Sequence, residues 1–152
     1  MKQDDVRLVP ISNGTVLDHL PPGSALRIIK ILGLDKVETA VTLAMHTESA
    51  SMKIKDLVFI EGKELSEEEI SKVGLIAAGA TLNLIKDGVV KKKAQIGMPN
   101  HADGLIKCMN SKCITKIEGL PSKFSISKDP LKAKCRYCEK EMNESEIFKV
   151  IK

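Results

Sequence analysis

The chain has 152 residues, 43% of them hydrophobic and 29% charged, with a formal net charge of +4. That is the composition of a folded globular protein of one ordinary domain or two small ones, and it excludes disorder as the main state. The longest mostly apolar stretch, residues 75–85, is broken by Gly79, Thr81 and Asn83 and falls short of the ~18 residues a membrane span needs. The N-terminus, Met1-Lys2-Gln3-Asp4-Asp5, carries no apolar core behind its charge, so no secretory signal is read and a cytoplasmic location is expected.

In chain order, Leu8 to Leu20 reads as a β segment entered through Pro10 and bent at Asn13-Gly14, with Gly14 to Leu20 the strand proper. Simple alternation puts Val16, Asp18 and Leu20 on one face and Leu17 and His19 on the other. Pro21-Pro22-Gly23 stops the strand, Ser24 is placed to cap a helix over about residues 25–32, and Gly33 ends it. Residues 37–45 alternate as a half-buried strand, His46 to Ser51 is a small polar connection, and a third strand runs from Met52 to Ile60. Ser66-Glu67-Glu68-Glu69 is a capping box, followed by Ile70, Val73 and Ala77 at helical spacing. Gly79 ends that helix, residues 80–86 form a fourth strand, Asp87-Gly88 a hairpin turn, and residues 89–96 a fifth strand.

The order β-α-β-β-α-β plus one strand is the split β-α-β, or ferredoxin-like, arrangement: an antiparallel sheet with both helices on one face and the first strand between the third and the fourth. Asp18 and His19 then lie beside Lys55 on one side and Asn83 on the other. The fifth strand carries Lys91 and Lys93 on one face towards the same edge, with Lys92 opposite. Lysines neutralise phosphates as point charges, and Asp and Asn hydrogen-bond a base or ribose, so this cluster suits a nucleoside triphosphate. The same lysine run also reads as a solvated strand edge that resists aggregation, Asp18 as a plain turn-side carboxylate, and His19 as a half-buried imidazole. No G-x-x-x-x-G-K-[ST] or G-x-G-x-x-G phosphate loop occurs.

The second part of the chain differs in composition. Residues 1–100 hold 13 basic and 13 acidic residues, whereas residues 101–152 hold 11 and 7 and contain all four cysteines. We therefore expect two modules, residues 1–98 and 105–152, joined by a Pro-, Asn-, Asp- and Gly-bearing linker at 99–104. Cys108-x4-Cys113-x21-Cys135-x2-Cys138 is two close pairs on a spacer, the pattern that lets two knuckles face one tetrahedral Zn2+. Four cysteines leave no open coordination position, so the site is structural. Two disulfides or four unrelated buried thiols are the alternatives, and disulfides are disfavoured where no secretory signal is read. A segment of this size has little core of its own and commonly needs metal to fold. Residues 104–108, 114–118, 123–127 and 131–135 read as short strands and residues 144–151 as a final helix.

Four thiolates around Zn2+ contribute about −2, which cuts the positive charge of this segment. With aromatic residues at only 3%, a base-stacking platform is not expected. A zinc-ribbon nucleic-acid-binding protein is the alternative reading. No nucleophile elbow, H-E-x-x-H motif or paired carboxylate spacing is present, so an enzyme is not expected.

Gly14-Thr15-Val16-Leu17-Asp18-His19, Lys55-Asp56-Leu57, Ala80-Thr81-Leu82-Asn83 and the cysteine set, including Cys135-Arg136-Tyr137-Cys138-Glu139-Lys140-Glu141, resemble the regulatory chain of aspartate carbamoyltransferase over nearly the whole length and in order. The resemblance implies a noncatalytic chain of pyrimidine biosynthesis, with an N-terminal ferredoxin-like allosteric domain that binds CTP, UTP or ATP and pairs with itself. It also implies a C-terminal zinc domain that docks on the catalytic chain, in an assembly of two catalytic trimers and three regulatory dimers. Carried over by position, the nucleotide site would use Asp18, His19, Lys55, Asn83 and Lys93. Main-chain or apolar contacts would come from Val9, Pro10, Ile11, Val16, Leu57, Ile85 and Val90. Asn110 and Lys112 in the first knuckle, and Glu139 and Lys140 after the second, would meet the catalytic chain. Phe59 and Gly88 stand where well-known members of that family have a lysine and a tyrosine.

Overall fold

The computed structural model describes residues 12–151. Its first sheet has five strands, β1 (Gly14–Leu20), β2 (Val41–Ser49), β3 (Lys53–Glu61), β4 (Thr81–Lys86) and β5 (Val89–Gln95), in the order β2-β3-β1-β4-β5 with every pairing antiparallel. Helices α1 (Ser24–Ile31) and α2 (Glu67–Ile76) pack over one face of it. Leu17, Leu20, Ala25, Ile28, Val58, Ile60 and Val73 form the core between sheet and helices. The ferredoxin-like arrangement expected from the sequence is the one observed.

Three bulges set where side chains point. On β1, Leu17 faces Val58 while Leu20 faces Asp56, so β1 spends one residue more than β3, and His19 takes a φ of 57°. The extra residue reverses the alternation: Leu20 joins Leu17 in the core at 0% exposure, instead of pointing away with Val16 and Asp18 as expected. On β2 the same happens between Ala44 and Thr47, with His46 at φ 60°. The strand therefore runs through His46 to Ser49, where a loop was expected, and begins at Val41 rather than Val37. On β5, Val90 pairs with Ile85 and Lys92 with Leu84, which leaves Lys91 as the bulged residue rather than a face-mate of Lys93.

Helix ends follow local chemistry with one exception. Ser66 and Glu69 form the expected capping box at α2, and Gly33, at φ 66°, closes the C-terminus of α1 before a single 3-10 turn at Leu34–Lys36. Asp87 and Gly88 both take positive φ, 54° and 76°, as the two-residue hairpin between β4 and β5 requires. Ser24, however, does not cap α1, because its hydroxyl donates to the Pro21 carbonyl at 2.7 Å. The cap comes from β3: Asp56 Oδ2 accepts from the amides of Gly23 at 2.8 Å and Ala25 at 3.1 Å.

The second sheet, β6 (His101–Asp103), β7 (Lys123–Ser127), β8 (Lys132–Cys135) and β9 (Glu141–Asn143), is antiparallel and in sequence order. Residues 101–103, expected inside the linker, are thus its first strand, with Ala102 fully buried. Residues 114–118, expected as a strand, instead form a helical turn, α3 (Ile114–Ile117), because the Cys113 carbonyl accepts from the amides of Lys116 and Ile117. The tail is helix α4 (Glu144–Val150), opened by a capping box of Asn143 and Glu146. Residues 104–108 make no named strand; Ile106 forms one bridge, to Ile151. Phe124, Ile106, Met142 and Ile147 form the core of this part, and Leu75 of α2 packs into it. Arg27 of α1 lies over the Phe148 ring of α4 at 4.5 Å. Among the described residues no helix is long and apolar enough to cross a membrane.

Candidate functional site

Residues directly opposite each other in an antiparallel sheet share a face. Val16 pairs with Phe59 and with Asn83, Asp18 with Thr81, Asn83 with Lys93, and Ile85 with Val90. Lys55 and Leu57 alternate with Phe59 along β3. Val16, Asp18, Lys55, Leu57, Asn83, Ile85, Val90 and Lys93 therefore all lie on the face of the sheet that the helices leave open. Val9, Pro10 and Ile11 lie outside the described residues.

At one end of that face is a small polar network. Lys55 Nζ sits 2.9 Å from Asp18 Oδ1, with side-chain exposures of 18% and 22%. The same oxygen accepts from the His19 amide at 2.6 Å, an arrangement that the bulge at His19 permits. Asp18 Oδ2 is left 4.0 Å from His19 Nδ1, and His19 Nδ1 is 3.1 Å from the Thr81 hydroxyl. Asp18, His19 and Lys55 are thus brought together, Asn83 and Lys93 are paired with each other on β4 and β5, the next two strands beyond β1, and Phe59 lies between Leu57 and Glu61 on the same face of β3. A groove of about 650 Å³ lined by Leu26, Arg27, Ile31 and Phe148 lies instead on the helix side, between α1 and α4.

Asp56 is the residue that sequence reasoning missed. It is fully buried between two open-face neighbours, Lys55 and Leu57, and its carboxylate accepts from three backbone amides, Gly23 and Ala25 through Oδ2 and His46 at 3.0 Å through Oδ1. It fixes the start of α1 and the β2 bulge to β3, and with them the strand that carries Lys55. A carboxylate inside an alternating strand, at a position its neighbours mark as core, was the available signal.

The four cysteine sulfurs lie within 4.8 Å of one another, with Cys108–Cys138 at 3.6 Å and Cys113–Cys135 at 3.8 Å. Tetrahedral zinc with Zn–S bonds of ~2.3 Å needs sulfurs about 3.8 Å apart, whereas a disulfide needs ~2.05 Å. The thiols are free and the donor set fits the ion. Cys108 and Cys113 come from one knuckle, closed by the Cys113 amide on the Asn110 carbonyl; Cys135 and Cys138 come from the other, closed by the Glu139 amide on the Cys135 carbonyl.

Electrostatics split the set. Burial pushes the Cys108 thiol up to about 12, and burial also raises Cys135. At Cys138 burial is outweighed by the Asn110 side chain, the Lys140 amide and the neighbouring thiols, which hold it down at about 6. At Cys113 burial is outweighed by the Thr115 hydroxyl and amide. A cation at the centre favours all four thiolates.

Of the residues expected at a partner contact, Lys112, Glu139 and Lys140 are exposed. Asn110 is half-buried and turned inward, its Oδ1 accepting from the Lys112 amide at 3.0 Å and its side chain meeting Cys138. Sequence reasoning did not single out the apolar surface beside the knuckles: Met109, Ile114, Ile117, Leu120 and Tyr137 are 38–69% exposed.

Fold and clusters together define a class of protein: a ferredoxin-like sheet with an open polar face, joined to a small domain organised around four clustered cysteines. Two family models match the chain, the aspartate carbamoyltransferase regulatory chain allosteric domain over residues 6–97 and the metal binding domain of the same chain over residues 100–148. Among similar proteins are the aspartate carbamoyltransferase regulatory chains of Pyrococcus horikoshii, 44% identical over 147 residues, and Methanopyrus kandleri, 45% identical over 145 residues. These alignments cover 95% of this chain and 97% of the first relative, and 93% of both chains for the second. The regulatory chain of Methanococcus maripaludis is 42% identical over 146 residues, 95% of this chain and 98% of its own length. The chain belongs to the family of aspartate carbamoyltransferase regulatory chains. It is a noncatalytic, regulatory chain with an allosteric and a metal-binding domain, and the zinc-ribbon nucleic-acid reading gives way to that.

Proposed function

We propose that the open sheet face binds nucleoside triphosphates, CTP, UTP and ATP, and that the zinc-bearing second domain passes the resulting bias to aspartate carbamoyltransferase catalytic chains in the cytoplasm. The observation that carries this reading is the convergence of Asp18, His19 and Lys55 with Asn83 and Lys93 on one face. Lys55, Lys93 and His19 offer positive or donor groups to phosphate oxygens. Asp18, held through Oδ1 by Lys55 and the His19 amide, keeps Oδ2 to accept a ribose hydroxyl. Val16, Leu57, Ile85 and Val90 supply apolar surface to the base.

Zn2+ on the four cysteines would hold the two knuckles together and supplies no chemistry beyond that. Exposed Ile114, Ile117, Leu120 and Met109, together with the exposed Lys112, Glu139 and Lys140 of the knuckles, support a docking surface for the catalytic chain beside the knuckles. Pairing of two such chains, and bridging of two catalytic trimers by three pairs, completes the reading. A ligand moves such an equilibrium only by its differential affinity for the two states, typically ~1–3 kcal/mol of coupling.

Calorimetric titration of the zinc-loaded chain with CTP tests the site. Saturable binding by the wild type and at least about tenfold weaker binding by Lys55→Ala are expected, the loss of one charge-assisted phosphate contact. Absence of binding by the wild type, or equal binding by the variant, would contradict the assignment.

A further inference from the structure

We propose that Thr115 is a positioning residue of the metal site: its hydroxyl donates a hydrogen bond to the Cys113 sulfur and thereby holds that thiolate in place for the ion. The oxygen and sulfur are 3.1 Å apart, and Thr115 is 5% exposed. Among the described residues, this is the hydrogen bond that a side-chain hydroxyl makes to the cysteine cluster.

The geometry follows from the local fold. Cys113 is the cap of α3, and its carbonyl takes the amides of Lys116 and Ile117, so the first turn of that helix is wound against the cysteine itself. Thr115, two residues on, is carried back over the sulfur. A threonine in a helix commonly returns its hydroxyl to a backbone carbonyl one turn earlier. Here the sulfur is the partner, and every buried side-chain nitrogen and oxygen among the described residues is satisfied.

A buried thiolate carries a charge that water cannot reach, so a donor aimed at it fixes its direction and stabilises the form that binds a cation. Groups that act on a metal through a ligand in this way typically account for ~10–100-fold in metal affinity. The inference rests on the zinc reading of the four cysteines, which the metal content of the wild-type chain tests separately.

Two substitutions separate the hydrogen bond from packing. Thr115→Val keeps the shape and loses the hydroxyl, whereas Thr115→Ser keeps the hydroxyl and loses a methyl group. The full chain and both variants are loaded with Zn2+, their metal content is measured, and release to excess EDTA is followed with a colorimetric zinc indicator. Release from Thr115→Val at least about tenfold faster than from wild type, with Thr115→Ser close to wild type, is expected. A Val variant that takes up no zinc while the Ser variant loads fully counts the same way. Release from the Val variant no faster than from the Ser variant would overturn the proposal and make Thr115 a packing residue. A wild-type chain that retains no zinc would overturn the metal reading itself.

Discussion

Asp56, on β3 beneath the open sheet face, ties α1 and β2 to that strand. Its carboxylate is fully buried and takes three amides from two elements, α1 and the β2 bulge. Removing it orphans those three amides together, and each buried donor left unsatisfied costs ~1–3 kcal/mol, so about 3 kcal/mol or more in all. Asp56→Ala should therefore lower the free energy of unfolding by roughly that amount, read by denaturant titration; a loss within ~0.5 kcal/mol, the level of an ordinary surface substitution, would contradict the role. The sequence placed Asp56 within a motif but assigned it nothing. Its partners lie 10 to 33 residues away and are all backbone amides, which a pattern of side chains cannot reveal. Lys55 and Asp18 were legible because their opposite charges fall on neighbouring strands, and the structure pairs them at 2.9 Å.

At the scale of elements, caps and turns were legible and strand ends were less so. The Ser66 box, the Asp87-Gly88 turn and the final helix each rest on chemistry within four residues. The β2 strand was placed four residues early because apolar alternation at 37–45 continues a core pattern begun before pairing starts, and the His46 bulge that extends the strand answers to Asp56 on its neighbour. The turn of α3 was read as a strand because the knuckle, not the sequence periodicity, winds it.

The α2 cap also has a pH signature. Burial works to raise Glu69, but the Ser66 amide and Lys63, whose Nζ is 3.4 Å away, hold it below its ordinary 4.5. A carboxyl depressed in the folded state stabilises above its unfolded value, and that contribution is lost as pH falls through the lowered folded value. Glu69→Gln keeps a capping side chain and removes the charge. Wild type should be the more stable of the two at pH 7, and the difference should shrink progressively as pH falls below 4.5; a difference independent of pH would mean the charge contributes nothing.

For the whole molecule, the two domains are packed together rather than merely joined. Leu75 of α2 enters the core of the second domain, Arg27 lies over Phe148, and a side chain at Gly74 would collide with the Gly97 carbonyl where the chain crosses α2. The second core is small and includes the cysteines themselves, so stripping the metal should unfold it and leave the five-stranded sheet intact. In hydrogen exchange after EDTA treatment, amides of β7 and β8 should lose protection while those of β1 and β3 keep it, with α2 loosened near Leu75. Retained protection at β7 and β8 would show a domain that folds without metal.

Under the proposed function, a nucleotide bound beside Lys55 in the first domain changes the behaviour of catalytic chains docked on the second. The most direct measurement is the aspartate saturation curve of catalytic trimers reassembled with the zinc-loaded chain, with and without CTP or ATP, for wild type and Lys55→Ala. A nucleotide-dependent shift in the half-saturating aspartate concentration with wild type, absent with Lys55→Ala in an assembly of the same size, is the predicted result. No shift with wild type, or the same shift with the variant, would rule out regulation by a nucleotide bound at Lys55.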